Sequence, residues 1–434
     1  MTRLTRGDLI EAYHGYGAPR ESWLVGAEFE RLLLKSDGTQ VSYAEPGGVS
    51  ELLSRLAELP EWRPMMEGQT IIGLHGDGCA VTLEPGAQVE FAGRPHRSLS
   101  SLVDELSDNT DLFRSHLAAL RDDSRLVALG VTPMLSMDEI EWVPKGRYEV
   151  MRRYLPQRGA MAEVMMKGTT SFQACYDFSD EADCAKKFDL MLRLAPLTTA
   201  MFANSPLFEG EVNGWMSNRG RAWLNTDADR TGFPDAIREG YSHEKWVDYL
   251  LDVPMMFYMK GNEWLHAEGR SFRQFLELGI DGQFPTWDDW DLHQTSVFPE
   301  VRVKKWIEVR GADAVPNHLA LGGIALWKGL LYDDAALESA LDITGRLSRA
   351  TEGELQEACR LGLAAQIGGR PAVELAGELL DLAEGALGRI DPEGLPLLAS
   401  LKAQIDKGES PAAEVVRKLE ASASIEEFLD SVAY

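Results

Sequence analysis

The chain has 434 residues, 44% of them hydrophobic, with 69 acidic against 43 basic side chains and a formal net charge of -26. That much apolar material buries a large core, and so much negative charge disfavours nucleic acid and anionic membrane as partners. No stretch approaches ~18 uncharged apolar residues, the opening Met-Thr-Arg-Leu-Thr-Arg-Gly-Asp holds no apolar signal core, and Cys79, Cys175, Cys184 and Cys359 show no CxxC spacing, which fits reduced thiols in a cytoplasmic compartment.

The first strand expected is Val25–Leu34. Side chains alternate between the two faces of a strand, so Glu28 and Glu30 share a face. Like charges so placed repel unless they are solvated or bridged by a cation, and magnesium or calcium prefers such oxygen ligands. Two solvated surface glutamates are the plainer alternative. In Val81–Gly93, Glu84 and Glu90 flank a Pro85-Gly86 break that reads as a turn or bulge. Both acids stand beside Leu83, Val89 and Phe91, and a buried carboxylate needs a partner. Leu99–Leu120 has helical spacing.

Thr169–Phe178 reads as a strand with Phe172, Ala174, Tyr176 and Phe178 on one face and Ser171, Gln173, Cys175 and Asp177 on the other. Residues 181–203 read as one helix following it. Residues 240–310 mix aromatic-rich loops, helices and strands. Val301–Arg310 reads as one strand with a mainly apolar face and a second face of Arg302, Lys304, Trp306, Glu308 and Arg310. That second face points either to solvent or into a polar cavity. From about Asp334 the composition turns to Ala, Leu and Glu at helical spacing, punctuated by Pro371, Pro392 and Pro411. It reads as a helical cap, about 334–434, on the catalytic body; the length of 1–434 suits two or three domains or a single domain built on one large sheet. Together the strand faces describe a concave sheet of acids and basic groups, suited to metal ions and, through them, to phosphates.

No G-x-x-x-x-G-K-[ST] loop, H-E-x-x-H or G-x-S-x-G is present, and Gly15-Tyr16-Gly17 lacks the third glycine of a dinucleotide fingerprint. His293, in Trp-Asp-Leu-His-Gln, reads as structural. The long motifs do carry a pattern. They are M-E-G-Q-T-I-I-G-L at 66–74, L-E-P-G-A-Q-V-E-F at 83–91 and P-K-G-R-Y-E-V-M-R-R-Y-L-P at 144–156. They continue with A-M-F-A-N-S-P-L-F-E-G at 200–210, N-T-D-A-D-R-T-G at 225–232, L-D-V-P-M at 251–255 and F-P-E-V-R-V-K-K-W-I-E-V-R-G-A-D at 298–313. In this order they resemble the glutamate–cysteine ligases of the plant and proteobacterial type, including the branch that serves ergothioneine synthesis.

The resemblance implies an α+β, glutamine synthetase-like fold: a curved antiparallel sheet forming a funnel, with helices packed outside, ATP entering at one end and glutamate near the middle. It implies ATP- and magnesium-dependent ligation of the glutamate γ-carboxylate to the amine of cysteine through γ-glutamyl phosphate, the first step of glutathione-type thiol synthesis. A ligase with another amine acceptor, or a non-catalytic binding protein of the same fold, is the alternative. By position, Glu28, Glu30, Glu84, Glu90 and Glu308 match metal ligands, a set that suits about two or three Mg²⁺ ions. Arg310, with Glu308, matches the catalytic pair at the transferring phosphoryl group. Arg219 resembles the arginine that holds the glutamate α-carboxylate, Arg230 stands near ATP phosphate or glutamate, and Gln173 lines the substrate pocket. Residues 144–156 are the implied closing loop. The implied partners are small molecules, with the chain as monomer or homodimer. Cys175 departs from a Gln-x-Asn pattern, which leaves the amine acceptor open. Thr170 and residues near Ala267 and Asp281 stand where the plant enzymes carry redox cysteines, so disulfide control of that kind is not expected.

Overall fold

The structure, a computed structural model, describes residues 3–238, 240–347 and 349–434. Its centre is strand β1 (Val25–Lys35), whose alternation buries Val25, Ala27, Phe29 and Arg31 on one face and leaves Gly26, Glu28 and Glu30 partly accessible on the other. Around it lie β2 (Arg63–Glu67), β3 (Thr70–His75), β4 (Ala80–Leu83), β5 (Val89–Ala92), β6 (Ser124–Val127), β7 (Phe172–Tyr176), β8 (Val301–Val303) and β9 (Ile307–Val309). The strand order is β8-β9-β7-β1-β5-β4-β3-β2, with β6 on the second half of β1, and every pairing is antiparallel. The sheet is open and backed by helices, the α+β architecture that the resemblance implied.

The helices that matter most here are α1 (Leu99–Leu120), α2 (Gly146–Tyr154), α3 (Glu181–Arg193), α4 (Ala195–Phe202), α5 (Asn218–Leu224), α6 (Asn317–Tyr332) and α7 (Ala372–Ile390). Helix α6 is buried from Ala320 to Tyr332 because the sheet covers one side of it and α7 another. Such a helix needs no polar stripe. Tyr176 donates its hydroxyl to the Ile324 carbonyl at 2.9 Å, and Phe172 meets Phe202 edge-on at 5.0 Å. One continuous apolar core takes in β1, α6 and α7 and runs from Leu9 to Ile405.

Two expected elements differ. Val301–Arg310 is not one strand but the hairpin β8–β9, closed where Lys304 N–H donates to the Trp306 carbonyl at 2.8 Å. Arg302 and Glu308 still share a face, because they are direct cross-strand partners. The helix expected over 181–203 breaks at Leu194 into α3 and α4. Pro196 lacks an N–H and its ring clashes with the carbonyl four residues back, so a continuous helix is excluded there. Leu99–Leu120 and the helices beyond Asp334 form as read.

Phe172→Ala should destabilise the fold by about 3–5 kcal/mol through the cavity it leaves between sheet and helices. An unchanged urea midpoint would rule out this packing of the sheet's rear face.

Candidate active site

Three rows of side chains cross the polar face of the sheet. Glu30 of β1 stands opposite Glu90 of β5, with Thr82 of β4 beyond it. Glu28 lies between Gln173 of β7 and Ala92 of β5. Cys175 of β7 lies between Gly26 and Glu308, and Glu308 faces Arg302. Glu84 joins these rows from the turn after β4. That turn is held closed: Gly86 N–H donates to Gln88 Oε1 at 2.9 Å, and Gln88 Nε2 donates to the Thr169 carbonyl at 3.0 Å.

A cavity of about 280 Å³ opens over the rows, lined by Glu28, Glu30, Glu84, Glu90, Gln173 and Arg310 together with Lys145, Arg147, Tyr148, Trp223 and Arg302. The closing loop expected over 144–156 is largely helix α2, and it walls the cavity. Gly146 N–H donates to Glu67 at 3.1 Å, and the Tyr148 hydroxyl donates to the Leu83 carbonyl. A second cavity of about 510 Å³ adjoins the first, lined by Gly26, Ala27, His75, Cys79, Cys175, Asp177 and Trp306. Glu28 lines both.

Burial raises the Glu28 carboxyl to about 7, with Glu90 and Glu308 adding repulsion. Burial pushes Glu30 well up, and Glu84 and Glu90 push it further. Glu84 is raised by burial, and Glu90 by burial and by Glu84. Among hydrogen bonds, Glu30 accepts from Ser171 N–H at 2.7 Å, and Glu90 accepts from Thr82 Oγ1 at 2.6 Å. Glu308 behaves oppositely. Burial alone would raise it, but Arg302, Lys304 and Arg310 hold it far below the usual carboxylate range. Lys304 Nζ approaches it at 2.9 Å, Trp306 Nε1 at 3.0 Å and Arg310 Nη1 at 3.4 Å, with Arg302 Nε closer still. So held, Glu308 anchors three basic groups, and it would enter a metal's shell by exchanging some of these partners. Arg310 also donates to Gln173 Oε1, and burial lowers its guanidinium to about 10, still charged at neutral pH.

Two of the expected arginines do not line the cavity. Arg230 is fully buried away from the cavity, paired with Asp227 at 2.7 Å and donating to the carbonyls of Ser296 and Pro254. Its expected contact with phosphate or glutamate is corrected to a structural tie, because it is fully buried and all three guanidinium nitrogens are already bonded within the protein. Arg219, on α5, does not line the cavity. It lies behind Trp223, 5.2 Å from that ring, and donates to the Arg310 carbonyl at 2.8 Å. His293 is structural as read, bonded to the Leu250 carbonyl at 2.7 Å. The buried Cys175 thiol is pushed well up by burial, so it is a neutral small side chain rather than a nucleophile. Sequence reasoning missed Lys145, Arg147 and Trp223, which line the cavity. The available signal was that all three lie in or beside the long motifs.

A model of the family described as glutamate-cysteine ligase family 2 (GCS2) matches residues 24–430. The chain belongs to the glutamate–cysteine ligase family. It is 37% identical over 418 residues to the chloroplastic glutamate–cysteine ligase of Brassica juncea, covering 94% of this chain and 80% of that protein. It is 36% identical over 422 residues to the chloroplastic enzyme of Arabidopsis thaliana, covering 95% and 79%. A solved glutamate–cysteine ligase from Francisella tularensis, in complex with AMP, shares the fold with a TM-score of 0.56 at 14% identity, covering 95% of this chain and 87% of that one. A bifunctional glutathione synthetase from Pasteurella multocida does so with a TM-score of 0.53 at 14% identity, covering 100% and 53%.

The chloroplastic relatives overturn the cytoplasmic expectation. Free thiols fit any reducing compartment, so cysteine usage does not choose among them. Among the described residues no helix is long and apolar enough to cross a membrane.

For a glutamate–cysteine ligase the acid rows bear directly on metal. Among the described residues no three His, Cys, Asp or Glu side chains already form a metal cage. The donor set nevertheless fits Mg²⁺. Glu28, Glu30, Glu84 and Glu90 are oxygen donors in one cavity, all raised by burial and mostly by one another, with Lys145 and Arg147 as the basic groups nearest Glu84. A cation must displace protons from them, so it binds better as pH rises. Mg²⁺ should therefore raise the Tm clearly at about pH 8 and little at about pH 5.5. An equal shift at both pH values, or none at either, would remove these acids from the role.

Proposed function

We propose that this chain joins the γ-carboxylate of glutamate to the amine of cysteine at the expense of ATP, as the first step of glutathione-type thiol synthesis. The observation that carries the reading is the pair of adjoining cavities meeting at Glu28: a polar one holding the acids and Arg310, and a larger, more apolar one beside it. The larger suits a nucleotide base, the polar one suits glutamate, and the phosphates then lie at their junction.

A γ-carboxylate oxygen attacks the γ-phosphorus of ATP, and the bond to the bridging oxygen breaks to release ADP. The amine nitrogen then attacks the carbonyl of the γ-glutamyl phosphate, the C–O bond to phosphate breaks, and the ammonium loses a proton. A carboxylate is a poor electrophile, so phosphorylation supplies the leaving group. Glu28, Glu30, Glu84 and Glu90 would hold Mg²⁺, which neutralises phosphate charge when bound. Arg310, with its fork fixed by Gln173 and Glu308, contributes preorganised positive charge where equatorial oxygens gather it. The α2 wall keeps water from the acyl phosphate. The name of the Brassica juncea relative supports cysteine as acceptor. We also propose that the whole chain acts as one domain, since the C-terminal helices share the core of the sheet.

The test is ATP, Mg²⁺ and glutamate with a panel of amines, following phosphate and the γ-glutamyl product. Cysteine-dependent turnover is expected, turnover only with another amine would replace the acceptor, and no turnover would overturn the reading. Glu84→Gln should cut kcat by roughly 100-fold or more with the circular dichroism unchanged. Near-normal phosphate release by that variant would exclude Glu84 from the site.

A further inference from the structure

Behind Trp223 lies a cluster of buried polar atoms that the catalytic rows do not use. Glu300 is 8% exposed, Arg219 4% and Arg310 8%. Glu300 Oε2, Arg219 Nε, Arg310 Nε and Trp223 Nε1 all lack a hydrogen-bond partner. Among the described residues the Glu300 carboxylate forms no ion pair within 4.0 Å. The same short peptide orders the cluster: Arg219 Nη2 donates to the Arg310 carbonyl at 2.8 Å, and Glu300 Oε2 stands 2.6 Å from where a Cβ on Gly311 would sit. Arg310 N–H donates to the Glu300 carbonyl at 3.2 Å, which fixes the two residues side by side.

The neighbouring acid behaves differently. Asp313 accepts from Asn204 N–H at 2.8 Å, Ser205 Oγ at 2.6 Å and Ser217 Oγ at 2.7 Å, so it is satisfied. Glu300 is the buried carboxylate of this cluster left without donors. Leaving a buried polar group unpaired is costly unless a ligand completes it. Two guanidinium nitrogens needing an acceptor and one carboxylate needing a donor complement the carboxylate and ammonium of an α-amino acid head group. The lid over them is one side chain: the Trp223 ring lies 5.2 Å from the Arg219 guanidinium and 5.9 Å from that of Arg310, and edge-on to Phe298 at 5.5 Å.

We infer that Glu300 reads the α-ammonium group of substrate glutamate, in a head-group subsite completed by Arg219 and Arg310 and covered by the Trp223 indole. The inference rests on the glutamate-activating reading above and adds the residue that selects an amino acid over a plain dicarboxylate. Displacing the indole exchanges its contacts with two cations for charge-assisted hydrogen bonds to the substrate carboxylate. A side chain at Gly311 would push the Glu300 carboxylate from its place.

The test compares glutamate with glutarate, which keeps both carboxylates and lacks the ammonium. Glu300→Gln should raise the glutamate KM by roughly 10–100-fold, leave the ATP KM unchanged, and leave the Ki of glutarate unchanged or lower. Glu300→Asp should recover part of the glutamate affinity, and thermal melting checks that each variant folds. If the glutamate KM and the glutarate Ki rise together, Glu300 is only a counter-ion for the arginines and the inference falls. An unchanged glutamate KM also defeats it. A wild-type protein that makes no γ-glutamyl product with any amine would instead sink the glutamate-activating reading itself.

Discussion

Repulsion among four carboxylates on one sheet face is the constraint around which this molecule is built. Glu28 and Glu30 are two residues apart on one strand, Glu90 is the cross-strand partner of Glu30, and Glu84 hangs over them from a turn. No sheet would gather them for stability, since each stands partly buried beside like charge. The rest of the site answers that charge. The β8–β9 hairpin brings in Arg302, Lys304 and Arg310, with Glu308 spacing them, and the N-terminal end of α2 supplies Arg147 and the capping Lys145 from the other side. The fold thus presents a negative trough with positive rims, a shape suited to a polyanion that arrives with cations.

The rear of the sheet makes this arrangement possible. A strand with Glu28 and Glu30 on one side has Ala27 and Phe29 on the other, and those side chains lie in the same apolar core as α6. Apolar burial at the back holds the acids in register at the front. Each carboxylate is therefore positioned by a rigid strand rather than by a loop, except Glu84, whose turn is braced by the Gln88 side chain.

Much of this was legible in the sequence, and the failures have physical causes. Period-two alternation revealed the faces of β1 and β7, because one side of each is apolar except for Arg31. Alternation could not tell a strand from a hairpin at 301–310, because a tight turn between facing residues preserves which side chains share a face. Arg230 was misplaced because an Asp-Ala-Asp-Arg run looks the same whether its arginine reaches outward or ties its own loop to Asp227. Glu300 was passed over because a single acid after a proline carries no periodic signal. Its meaning depends on Arg219 and Arg310, which only the folded chain brings near. Burial of Arg219 behind an indole is likewise a tertiary fact with no local signature.

The strand order also governs when the site comes into being. β7 bridges β1 to the β8–β9 hairpin, so the acids of the first hundred residues meet Arg302, Lys304 and Arg310 only after the chain beyond Val301 has been made. Such non-local pairing forms slowly. During synthesis the early strands present an acidic face and the unpaired edge of β7, and that edge is the place where a half-made chain is most exposed to wrong partners. The hairpin that completes the chemistry is therefore also the piece that seals the nascent sheet.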